Sequence, residues 1–272
     1  MTVYPFQIHL GSFTITGFGI MMMVAFLVAG WAYAREVERA GTDPAIAWDI
    51  VVASVIGGLL GAKIYYAILV GRGDALLSRG GLVWYGGFIG AVLLSLGYLA
   101  WKRLKVAPLA DLVAAPLAAG YSLGRVGCFL VGDDYGRPTD VPWAMAFPRG
   151  APPTTVQSLR EQFGVQLPPD LPPSHVLAVH PTQLYEAALA FGIFWLLWRR
   201  RQHRHAAGGL FALYLVLIGA ERFVVEMVRV KDDRFLGPFS LAQAIAVAVM
   251  ATGALLLVRL RRPSQEPPAP AR

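Results

Sequence analysis

Arginine is well suited to holding a phosphate, because its planar, permanently charged fork of donors matches two oxygens at once. Two arginines of this chain lie where charge is expensive. Arg125 sits in APLAAGYSLGRVGCFLVG and Arg222 in LFALYLVLIGAERFVVEMV, both in apolar runs long enough to cross a bilayer. A cation at that depth costs about 2.5–3.5 kcal/mol on insertion scales, so it normally has a partner or a ligand. Two guanidinium groups converging from separate spans would suit a phosphate-bearing molecule.

The residues around them extend this reading. In GRVGCFLVGDDYGR (124–137), Gly124, Gly132 and Gly136 allow close backbone approach, Asp133 and Asp134 could orient Arg125, and Arg137 adds a further guanidinium. ERFVVEMVR (221–229) spaces Arg222 and Glu226 at i, i+4 and Glu226 and Arg229 at i, i+3, all on one helix face. On that face, one glutamate against two arginines leaves a positive surplus that an anion would balance. HPTQLYE (180–186) opens a helix with His180 before Pro181, a favoured first-turn residue, and adds Gln183, Tyr185 and Glu186. WYGGFIG carries Tyr85, Gly86 and Gly87, and Lys63 in GAKIYY is a further phosphate contact or the partner of a carboxylate such as Asp49. Each feature also has a plainer structural reading: glycines as helix-packing faces, the Arg–Glu stripe as glue between spans, His180 as a helix-start residue. For Cys128 the plainer reading prevails, a small hydrophobe in an apolar run.

These residues need spans to position them. Of 272 residues, 56% are hydrophobic and 15% charged, against about 25% charged in a soluble domain. Apolar stretches at 14–33, 45–70, 82–100, 107–131, 182–198, 209–228 and 239–258 predict an all-α polytopic membrane protein with seven transmembrane helices. The first shows no cleavage signal and is expected to stay as a span. Segments after the first, third, fifth and seventh spans hold thirteen Lys and Arg, among them Arg35, Lys102, Arg199, Arg204 and Arg262. The opposite side holds eight, among them Arg72, Arg79, Arg149 and Lys231. The basic side is the cytoplasmic one, so the N-terminus faces out and the C-terminus in. The net charge of +7 is therefore a matter of topology and implies no nucleic acid. Residues 1–131 hold spans one to four and 181–258 spans five to seven. The proline-rich stretch 132–180 forms a small periplasmic head, and 259–272 a disordered cytoplasmic tail. One cysteine excludes a disulfide framework and a cysteine-rich metal site; no metal or cofactor is expected.

In order and spacing, AKIYY, WYGG, APLAAGYSLGRVGCFLVGDDYGR, HPTQLYE and RFVVEMVR resemble the bacterial prolipoprotein diacylglyceryl transferase family over residues 10–255. The resemblance implies transfer of the diacylglyceryl group of phosphatidylglycerol to the lipobox cysteine of a prolipoprotein signal peptide, with release of glycerol phosphate. It implies a bacterial inner-membrane enzyme among bilayer lipids, with its site facing the outer leaflet. Arg125 matches the family's signature arginine, and Arg222 and Glu226 its late Arg–Glu pair. Tyr85 stands where the family usually has histidine, Phe18 where it has tyrosine, and Cys128 where it has asparagine. Tyr85 and His180 are the candidates beside the attacking thiol. Gly86, Gly87, Lys63, Gly124, Gly132, Asp133, Gly136, Arg137, Gln183, Tyr185, Glu186 and Arg229 are the candidates for substrate binding. A lipid-binding paralogue without this activity, or an anion transporter, is the alternative; no internal repeat supports a transporter.

Overall fold

A computed structural model describes residues 1–11, 13–77, 81–203, 205–230, 234–236 and 239–261. Arg79, Arg204, Lys231 and residues 262–272 of the expected tail lie outside the described residues, while 259–261, also expected in the tail, are helical. The chain is mostly helical. Strands β1 (Gln7–Leu10) and β2 (Phe13–Thr16) form an antiparallel hairpin, so the first helix starts later than expected, as α1 (Gly17–Arg39). There follow α2 (Ala45–Val70), α3 (Trp84–Trp101), α4 (Val106–Val131), the short α5 (Val156–Phe163), α6 (Thr182–Arg200) and α7 (Gly209–Glu226). A second small hairpin, β3 (Arg234–Leu236) with β4 (Phe239–Ser240), leads into α8 (Leu241–Arg261).

Among the described residues, five helices are long and apolar enough to cross a membrane: α1, α2, α3, α4 and α8, the last over Leu241–Leu260. The other two long helices carry several ionisable residues. Glu186, Arg199 and Arg200 lie in α6, and Glu221, Arg222 and Glu226 lie in α7.

The chain divides into two compact units, Gly30–Val113 and the remainder (Met1–Ala29 with Ala114–Arg272). In the first, α2 and α3 meet through glycines. A methyl group on Gly61 would come within 2.2 Å of the Gly86 carbonyl oxygen, and one on Gly90 within 2.2 Å of that of Gly57. Both helices thus use a GxxxG face, Gly57–Gly61 and Gly86–Gly90, to let backbones touch where lipid provides no hydrophobic drive. Tyr33, Val37, Ala47, Leu99 and Leu109 form this unit's buried cluster.

In the second unit, Ala114, Ala115 and Ala118 of α4 pack on Ile193 and Leu197 of α6 and Leu210 of α7. Gly219 of α7 sits against Ala246 and Met250 of α8, while Gly127 of α4 admits Phe18 and Met21 of α1. The 132–180 stretch has its own core of Tyr135, Phe147, Leu159 and Val179, joined by Val230. Thr155 caps α5 by accepting from the Ser158 amide at 3.2 Å. The N-terminal residues are tied to this stretch, Val3 and Ala146 donating their amides to Ala146 and Met1 carbonyls at 2.8 Å each.

Candidate functional site

Four segments of the second unit converge on one carboxylate. Glu186, one turn into α6, has a side chain that is 0% exposed, and three arginines surround it. Arg125 Nε, from the last turns of α4, stands 3.1 Å from Glu186 Oε2. Arg222 Nη1, from α7, lies 2.9 Å from Oε1, and Arg229 Nη1, just beyond α7, lies 3.6 Å from the same oxygen. Glu186 is therefore the hub of the cluster, a more central place than the one its motif suggested.

Two further carboxylates complete the cluster. Glu226 Oε2 meets Arg222 Nη2 at 2.6 Å and Arg229 Nε at 3.6 Å, as the helical spacing predicted. Its Oε1 accepts from the Ser240 hydroxyl at 3.1 Å. Asp134 bridges Arg125 Nη1 at 2.9 Å and Arg229 Nη2 at 2.5 Å. Three guanidinium groups thus face three carboxylates, and the surplus positive charge inferred from the α7 motif alone is offset by Glu186 and Asp134. The hydrogen bonding is nevertheless incomplete. Arg229 is 7% exposed, and its Nε and Nη1 are buried without a hydrogen-bond acceptor among the described residues. Buried donors of this kind are uncommon and suit an incoming anion.

The glycine-rich turn holds this geometry. Gly132 is left-handed (φ 69°), closing α4, and a methyl group there would meet Phe147 at 2.9 Å. A methyl group on Gly136 would stand 2.6 Å from the Val228 carbonyl. Both glycines shape backbone, and Gly124 packs near Met22. Gln183 donates to the Asp133 carbonyl and Thr182 to that of Asp134, the latter at 2.7 Å, so the start of α6 anchors the turn. Arg137 Nε donates to the Arg229 carbonyl at 3.3 Å, which makes Arg137 a brace.

The paired aspartates are in different electrical situations. Burial, and then the charge of Asp134, push the Asp133 carboxyl up to about 6. Burial opposes ionisation of Asp134 too, but the charges of Arg229 and Arg125 hold it below the usual carboxylate range. Cys128 Sγ and one oxygen from each aspartate lie within 4.8 Å of one another. Both Asp134 oxygens already engage arginines, which leaves this group poorly suited to a metal ion.

His180 and Tyr185 form a separate chain. The Trp143 indole donates to the Tyr185 hydroxyl at 2.6 Å, and that hydroxyl is 3.2 Å from His180 Nδ1. Because indole can only donate, the Tyr185 oxygen accepts from Trp143, and the tautomer of His180 sets which of Nδ1 and the Tyr185 hydroxyl donates to the other. Tyr85, Gly86, Gly87 and Lys63 belong to the other unit. There Gly86 and Gly87 face α2, and the half-exposed Tyr85 stacks edge-on with Trp84 at 5.3 Å.

Tyr121 escaped the sequence reading. Its ring lies 5.0 Å from the Arg125 guanidinium and its hydroxyl 3.5 Å from Glu186 Oε1. The signal was available, an aromatic one helical turn before a membrane-depth arginine.

A family model described as prolipoprotein diacylglyceryl transferase matches residues 5–259. A phosphatidylglycerol–prolipoprotein diacylglyceryl transferase of Bordetella bronchiseptica is 31% identical over 95% of this chain and 96% of its own length. Proteins of the same name from Methylobacillus flagellatus and Rhodospirillum rubrum are 32% and 29% identical, each over 95% of this chain and over 97% and 92% of their own lengths.

Proposed function

The chain belongs to the prolipoprotein diacylglyceryl transferase family, and from that premise we propose that it transfers the diacylglyceryl group of phosphatidylglycerol to a lipobox cysteine thiol. The observation that supports the phosphate end is the set of unused buried donors on Arg229, beside Arg125 and Arg222. The lipid phosphodiester takes these donors, exchanging places with part of the Glu186 contact. The thiol sulfur attacks the diacylglyceryl carbon bonded to the phosphate oxygen. A C–S bond forms, the C–O bond breaks, and glycerol phosphate departs with charge that the guanidinium groups stabilise. Glu226 fixes Arg222, and Asp134 and Glu186 fix Arg125.

Thiolate is the reactive form. We assign the thiol proton to the Tyr185–His180 pair, whose Nδ1 lone pair is reached through the Tyr185 hydroxyl. In this reading all seven long helices span the bacterial inner membrane, the N-terminus and the 132–180 head lie outside, and lipid enters laterally from the outer leaflet.

Reconstitution with phosphatidylglycerol and a lipobox peptide tests it. Transfer is expected for the wild type. Arg125→Ala should lose on the order of 10²–10³ in rate, as when one stabilising donor is deleted, and His180→Ala should alter the pH–rate profile. Wild-type rates in Arg125→Ala would overturn the phosphate assignment.

A further inference from the structure

Arginines read a phosphate, and every glycerophospholipid has one. Selectivity for one headgroup therefore needs another group. Glu221, immediately before Arg222 on α7, is only 5% exposed, and neither carboxylate oxygen has a hydrogen-bond partner among the described residues. It lies within electrostatic reach of Glu186, Arg125, Arg222 and Arg229, so it adjoins the cluster without joining any of its ion pairs. Tyr121 and Tyr214 are also in electrostatic reach, and neither donates to it.

A buried carboxylate with two vacant acceptors calls for donors, because leaving such oxygens unpaired is costly. We infer that Glu221 accepts the hydroxyl protons of the substrate lipid's headgroup and so makes this site selective for a polyol-bearing phospholipid; this rests on the phospholipid reading above. A glycerol headgroup brings two hydroxyl donors on neighbouring carbons, a match for the two oxygens of one carboxylate. An ammonium headgroup also donates, but from one nitrogen rather than from two neighbouring hydroxyls. The diol supplies donors without added positive charge. Division of labour follows: Arg125, Arg222 and Arg229 hold what all phospholipids share, and Glu221 holds what distinguishes this one.

Native mass spectrometry of the full-length protein can test this with phosphatidylglycerol and phosphatidylethanol of matched acyl chains. The two lipids share the charged phosphodiester and differ in headgroup hydroxyls. The wild type should retain phosphatidylglycerol on the order of tenfold better, as expected for one or two buried hydrogen bonds. Glu221→Leu should bring the ratio near one, and Glu221→Gln should fall between, since its single oxygen can still accept. Equal retention of the two lipids by the wild type overturns the assignment with no variant needed. A preserved ratio in Glu221→Leu, or preference for phosphatidylethanolamine over phosphatidylglycerol in the wild type, overturns it as well. Transfer to a lipobox peptide is scored separately. A tenfold ratio without transfer would sink the transferase reading and leave this one standing, while transfer with a ratio of one would do the reverse.

Discussion

Asp133 and Asp134 are neighbours in sequence, yet their carboxyls shift in opposite directions. Asp133 holds its proton up to about pH 6 because it is buried and faces the charge of Asp134. A raised carboxyl binds protons more tightly folded than unfolded, so its contribution to stability is present at low pH and lost as pH rises through about 6. Asp133→Asn removes that loss. The variant should melt higher than the wild type at pH 7–8 in detergent, with the difference closing towards pH 4; a pH-independent difference would contradict the shift. At this scale the sequence revealed what local spacing encodes: Arg222, Glu226 and Arg229 meet as the helical repeat dictates. The hub position of Glu186 was not legible, since Arg125 and Arg222 reach it from α4 and α7, and only the fold brings such distant positions together. Gly132 and Gly136 stand where an added methyl group would meet Phe147 and the Val228 carbonyl, a packing demand that the motif alone did not reveal.

Helices in a membrane need close backbone contact more than apolar faces, and α2 and α3 achieve it with paired glycines. Gly61→Ala should lower the melting temperature, by an amount corresponding to about 1–3 kcal/mol for an overpacked contact, because the added methyl group would overlap the Gly86 carbonyl. An unchanged melting curve would mean that the two helices separate without cost. Gly97 of α3, which has open space around it, is the control and should accept alanine with little change. The same glycines show how far sequence goes at the scale of elements. WYGGFIG was equally compatible with ligand binding and with packing, and only the facing residues on α2 show the packing use. Elsewhere, the long helices follow the apolar runs closely, except that α1 gives up its first residues to a hairpin.

Across the whole molecule, composition announced a membrane protein and the unusual arginines announced its site. The head's attachment to the chain's first residues was hidden, because backbone pairing such as Val3 to Ala146 leaves no periodic mark in side-chain type. The cluster itself carries a consequence for how the protein meets its substrate. Three guanidinium groups and three carboxylates, linked by ion pairs shorter than 4 Å, nearly cancel at a distance. Such a site casts little long-range field, so it cannot gather anionic lipid from afar as a bare basic patch would. Recognition begins at contact, and ionic strength has little to screen. Transfer measured at a fixed lipid fraction should therefore vary by less than roughly twofold between low and physiological salt, whereas a steep decline would point to charge-driven capture. Under the function proposed above, the protein waits for its lipid to diffuse in along the membrane plane, and sorts it only once the headgroup has arrived.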